Sequence, residues 1–152
     1  MPLPQIRECY SKYQSGIITV NHTKAIRGKK PMTKIMIVDD DIETTDILER
    51  ILKLEGYEPT SVNDSSIAVE AASLLRPDLF LLDLMMPDID GFKLCRLLRA
   101  KREFTHTPII IVTALDNKDS RIVAYGAGAS DFIAKPYLPH ELILKIRDFV
   151  TK

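Results

Sequence analysis

The sequence predicts an α/β fold, a doubly wound parallel sheet with helices on both faces. Two observations carry that expectation. Between residues 34 and 150, five short apolar runs alternate with five segments whose apolar residues recur at helical spacing. A chain that alternates strand and helix in this way closes into a parallel sheet through right-handed crossovers. The runs 35–38, Leu79–Leu82 and Ile109–Thr113 also hold almost no polar side chain, as central strands covered on both sides require.

The first strand, 35–38, is followed by a helix in which Ile47, Ile51 and Leu54 form one stripe with Leu48 and Leu52 beside it. Gly56 stands where that helix should end. The second strand is Glu58–Val62. The next helix starts at Ser65 or Ser66, either a suitable cap, and runs through Ala68, Ala71, Ala72 and Leu75 to stop before Pro77. The third strand, Leu79–Leu82, leads to a helix over 92–102 that turns Leu94, Leu97 and Leu98 inward. After the fourth strand, Ile109–Thr113, a weaker helix over 118–127 is interrupted by Gly126 and Gly128. The fifth strand, Asp131–Ala134, precedes a helix over 140–150 whose Leu142, Ile146, Phe149 and Val150 face the core.

With 152 residues, 28% charged and 45% hydrophobic, the chain has the composition of one ordinary globular domain. No apolar run approaches the ~20 residues that a membrane-spanning helix needs, and no charged start followed by an apolar stretch marks a secretory signal. Basic and acidic residues match at 21 each, yet residues 1–33 carry six bases and one acid, leaving 15 bases and 20 acids beyond them. This divides the chain into a basic, flexible N-terminal extension over 1–31, with one strand-like run at 16–20, and an acidic domain over 32–152. Met32, followed by Thr-Lys-Ile-Met, reads as the start of that domain. An acidic body is a poor partner for nucleic acid, and the extension is too short for a helix-turn-helix DNA-binding domain. Cys9 and Cys95 form no redox or metal spacing, nor do His22, His106 and His140. A reducing, cytoplasmic setting is expected.

In a doubly wound sheet, ligands bind beyond the carboxyl ends of the strands. There stand Asp39, Asp40 and Asp41 after the first strand, Asp83 after the third, Thr113 and Ala114 at the end of the fourth, and Lys135 and Pro136 after the fifth. Crowded carboxylates are tolerable only where a cation neutralises them, and an all-oxygen set suits Mg²⁺. A lysine and a hydroxyl on the opposite side can hold the remaining oxygens of a phosphoryl group in transfer. A carboxylate can itself be the nucleophile, giving an aspartyl-phosphate.

Four segments in register, IMIVDDD at 35–41, LLDLMMPDIDG at 81–91, PIIIVTA at 108–114 and GASDFIAKPY at 128–137, resemble the receiver domains of two-component response regulators. The resemblance covers about 32–152 and implies a flavodoxin-like (βα)5 sheet of strand order 2-1-3-4-5. It implies Asp83 as phosphoacceptor, with Asp39, Asp40, Asp83 and the main-chain carbonyl of Met85 holding Mg²⁺. It further implies that Thr113 and Lys135 bind the phosphoryl group, that small Ala114 keeps the site open, and that the Lys135–Pro136 bond is cis. Phe132 takes the aromatic switch position, where the family often has tyrosine. The positions that tune dephosphorylation are Met85 and Leu115, neither polar, so a long-lived phosphoryl state is expected. The implied donor is a histidine kinase or a histidine phosphotransfer protein.

No effector domain is expected after Val150, so output is expected through a partner protein, onward transfer, or a phosphorylation-dependent homodimer using the fourth helix, fifth strand and fifth helix. The protein is expected to be a phosphoacceptor that assists its own modification rather than a turnover enzyme. Two other readings compete. A haloacid-dehalogenase-type phosphatase would use Asp39 as nucleophile in an Asp39-x-Asp41 motif, but Glu43 stands where that motif wants Thr or Val. A constitutive interaction module would have no need of the full set Asp39, Asp40, Asp83, Thr113 and Lys135. Asp41 alone reads more simply as a helix cap, and Asp88 and Asp90 as turn residues.

Overall fold

A computed structural model describes residues 31–151. The extension expected over 1–31, including its run at 16–20, lies outside the described residues except for Pro31. Five parallel strands, β1 Lys34–Val38, β2 Glu58–Val62, β3 Leu79–Leu82, β4 Ile109–Thr113 and β5 Asp131–Ala134, form one sheet in the order β2-β1-β3-β4-β5. The helices are α1 Ile42–Leu54, α2 Ala68–Leu75, α3 Gly91–Arg99, α4 Lys118–Gly126 and α5 Pro139–Val150. Among the described residues no helix is long and apolar enough to cross a membrane.

Alternation along the central strands supplies two cores. Ile35, Ile37, Leu79, Leu81, Ile110 and Val112 share one cluster with Leu48 and Leu52 of α1 and Leu142, Ile143 and Ile146 of α5. Met36, Val38, Phe80, Leu82, Ile109 and Ile111 are equally buried between them, and Phe80 meets Phe104 edge-on with ring centroids 5.2 Å apart.

Three expectations about helix faces and caps need correction. In α1 the buried residues are Thr45, Leu48 and Leu52, whereas Ile47 is 59% and Leu54 88% exposed. Two apolar stripes lie one residue, about 100°, apart on this helix, and periodicity alone did not rank them. In α3, Cys95 joins Leu94 and Leu98 inside, while Leu97 turns outward. Neither Ser65 nor Ser66 caps the segment before α2; Asp64 does, accepting from the Ser66 amide across a 3-10 turn at Ser65–Ile67. In α5, Phe149 and Val150 are partly buried against the core and Ile143 fills the centre. Gly56 ends α1 with φ +86, a left-handed conformation that favours glycine.

Candidate functional site

The strand order reverses between β1 and β3, which lie side by side with Val38 opposite Leu82. The next residue on each strand is therefore an aspartate, Asp39 beside Asp83, at the switch point where such sheets bind ligands. Asp40 follows, and carboxylate oxygens of Asp39, Asp40 and Asp83 lie within 4.8 Å of one another. Asp39 and Asp83 are buried, Asp40 exposed.

Lys135, placed by the end of β5, reaches across this group. Its Nζ donates to Asp39 Oδ2 at 2.8 Å and to Asp83 Oδ2 at 3.4 Å. Its backbone amide donates to the Thr113 carbonyl at 2.9 Å, which joins the ends of β4 and β5, and the Lys135–Pro136 peptide is cis. Burial raises the Asp39 pKa above the ordinary carboxylate range despite the Lys135 bond and charge. For Lys135, burial pulls downward, but the bond to Asp39 and the charges of Asp39 and Asp83 outweigh it and leave the ammonium strengthened. One ammonium thus serves two carboxylates, with a third close by. A hard oxygen-rich set with surplus negative charge in a partly buried cleft fits a small divalent cation such as Mg²⁺.

The remaining oxygens are already oriented. Asp39 Oδ1 accepts from the Asp41 amide at 2.9 Å, and Asp83 Oδ1 accepts from the Met85 amide at 3.2 Å. Thr113 is fully buried at the end of β4, with its Oγ1 accepting from the Leu115 amide at 3.3 Å; Ala114 is exposed. Phe132 is buried in β5, and the Arg121 guanidinium sits 4.7 Å from its ring centroid. Asp41 does not join the cluster; its carboxylate caps α1, accepting from the amides of Glu43 and Thr44 and from the Thr44 hydroxyl. The Thr44 bonds hold the Asp41 pKa below its usual value.

Several residues that position the site were not given that role from the sequence. Gly91 opens α3 against the end of β3: a Cβ there would collide with the Asp83 carbonyl and come within 2.7 Å of Leu84 Cα. Only the absence of a side chain allows this approach. Asn63 and Ser65 bind the loops that carry the aspartates, and Arg121 ties α4 to Asp116 at 2.7 Å while covering Phe132. The partners of Asn63 and Ser65 lie on other elements, as does the Phe132 ring that Arg121 covers, so no local spacing exposed these contacts.

A family model described as the response regulator receiver domain matches residues 35–147. The DNA-binding response regulator MtrA of Mycobacterium tuberculosis is 38% identical over 114 residues, 75% of this chain and 49% of that protein. The chain spans about half the length of the curated relatives it matches. Among solved structures, the BeF3-activated N-terminal receiver domain of Klebsiella pneumoniae RstA matches with TM-score 0.74 and 32% identity, covering 79% of this chain and 100% of that one. The receiver domain of a Pseudomonas aeruginosa sensor histidine kinase, with magnesium coordinated in its active-site cleft, matches with TM-score 0.74 and 30% identity over 80% of this chain and 100% of that one.

Proposed function

The chain belongs to the response regulator receiver domain family, and on that premise we propose that Asp83 accepts a phosphoryl group from a histidine kinase or a histidine phosphotransfer protein. The observation that carries this reading is the single lysine, Lys135, bonded to Asp39 and Asp83 on adjacent strands with a third carboxylate, Asp40, beside them. Asp39, Asp40, Asp83 and the main-chain carbonyl of Met85 would hold Mg²⁺, which supplies charge neutralisation at the phosphoryl oxygens.

The chain's own groups do the rest. An Asp83 carboxylate oxygen forms the new O–P bond as the donor's P–N or P–O bond breaks, and the donor leaves with that bond's electron pair. Lys135 offsets the charge on the transferring group, and the buried Thr113 hydroxyl is the second donor at the rim. Asp39 is less suited to be the nucleophile of an Asp39-x-Asp41 motif, because the Asp41 carboxylate that motif needs is committed to the cap of α1. The protein is then a phosphoacceptor rather than a turnover enzyme, and a cytoplasmic location is part of the same reading. Exposed Ile42, Met85 and Leu138 follow the ends of β1, β3 and β5, and they offer a donor protein an apolar rim around Asp83.

Acetyl phosphate with and without Mg²⁺, read by intact mass on the wild type and Asp83→Asn, tests the proposal. One phosphoryl group should appear on the wild type only, and only with Mg²⁺. An adduct that survives Asp83→Asn would place the nucleophile elsewhere. Met85 and Leu115 bring no polar side chain to orient a water, so the adduct should persist after the donor is removed. Its loss within seconds would refute that part.

A further inference from the structure

The carboxylates of Asp39 and Asp83 repel each other, and each sits at the start of a loop. The loop after β1 runs from Asp39 to the start of α1, and the loop after β3 runs from Asp83 to Gly91. The turn that follows β2 grips both. Asn63 Nδ2 donates to the main-chain carbonyl of Asp39 at 2.9 Å and to the Thr45 hydroxyl at 2.9 Å. That hydroxyl donates in turn to the Ile42 carbonyl at 3.0 Å, so Asn63 fixes the first loop to the first turn of α1. Two residues on, Ser65 is buried and its Oγ donates to the Pro87 carbonyl at 2.8 Å. The same oxygen accepts from the Ile89 amide at 3.2 Å, so one hydroxyl closes the second loop on both sides of Asp88.

We propose that Asn63 and Ser65 act as a strap: positioning residues that set how closely the two acidic loops approach, and thereby the affinity of the site for its divalent cation. This rests on the reading of Asp39, Asp40 and Asp83 as a cation site. The polar groups freed by removing the Ser65 hydroxyl belong to a loop whose Pro87 is exposed and whose Ile89 is half-buried. Water can satisfy them there, so the fold survives while the loop loosens. Outer partners that orient metal ligands usually govern affinity in this way.

The test is Mg²⁺ titration of the full, unphosphorylated chain by calorimetry, comparing wild type, Asn63→Ala, Ser65→Ala and Asp64→Ala. Asp64 caps the same turn through Ser66, so its loss perturbs that turn without releasing either loop. The Mg²⁺ Kd should weaken about tenfold in Asn63→Ala and Ser65→Ala, the low end for such outer partners, and stay at the wild-type value in Asp64→Ala. The rate of phosphorylation by acetyl phosphate in those two variants should return to the wild-type rate at saturating Mg²⁺, a recovery that a generally disordered site would not show. Wild-type affinity in both strap variants, an equal loss in Asp64→Ala, or no recovery at saturation would overturn the strap. If the wild type itself shows no saturable Mg²⁺ binding, the cation-site reading fails as well.

Discussion

At Asp88 the backbone takes φ +65 in the middle of the loop that Ser65 closes. Left-handed geometry costs an ordinary residue about 1–2 kcal/mol, somewhat less for aspartate, while glycine adds about 0.4–1 kcal/mol of unfolded-state entropy. Relief of the strain is the larger effect. Asp88→Gly should therefore stabilise the domain by about 0.5 kcal/mol in urea unfolding, and a lower midpoint would mean that the Asp88 side chain supports the loop. The same loop marks where sequence reading succeeds and stops at this scale. Asp39, Asp40, Asp83 and Lys135 were legible because a strand end is a local feature and the family motifs flank it. Asn63 and Arg121 were not, and Ser65 was read only as a helix cap, because a lone polar residue in a turn or helix does not reveal a distant partner, and Ser65 meets Pro87 from 22 positions away.

Four of the five strands match the bounds read from apolar runs, and β1 gains only Lys34. Helix faces were harder, and α1 shows why. Its sequence offers two apolar stripes, and the sheet accepted Thr45, Leu48 and Leu52, leaving Ile47 and Leu54 to solvent. The Asp41 cap fixes where the helix begins, and the Glu49 carboxylate accepts from the Ser61 amide at 3.2 Å, which fixes its rotation against β2. Neither contact is visible in a hydrophobic period. The difference is measurable. Leu52 is fully buried, so Leu52→Ala should cost about 2–5 kcal/mol through lost transfer energy and the cavity left behind. Ile47→Ala and Leu54→Ala should stay within about 0.5 kcal/mol of wild type, as exposed substitutions do. Comparable losses at Leu52 and Ile47 in denaturant unfolding would return the helix to the face read from its sequence.

For the molecule as a whole, the question is how a phosphoryl group at one end of the sheet reaches a partner. The face made by α4, β5 and α5 is tied into one unit by Asp131, which accepts from the Tyr125 hydroxyl at 3.4 Å and from Lys145 Nζ at 2.9 Å. Arg121, one turn before Tyr125, links this face to the site: it pairs with Asp116, close after Thr113, and covers Phe132. A shift of the Thr113 loop on phosphorylation is therefore expected to pull on Asp116 and Arg121 and to bias this face through that contact. Exposed Ile122 and Tyr125 lie one turn apart on α4, the spacing of an apolar stripe with an ionic rim. A two-fold pairing of this face buries the same surface on both copies, and a specific dimer needs roughly 1,200–2,000 Å² in total. The phosphorylated or beryllofluoride-treated chain should then sediment as a dimer and the untreated chain as a monomer. Ile122→Asp should remain monomeric in both states while taking up phosphoryl at the wild-type rate, since it lies outside the acidic cluster. If the treated wild type stays monomeric at concentrations near those of partner association, self-pairing is not the output, and the same face is left to a different protein.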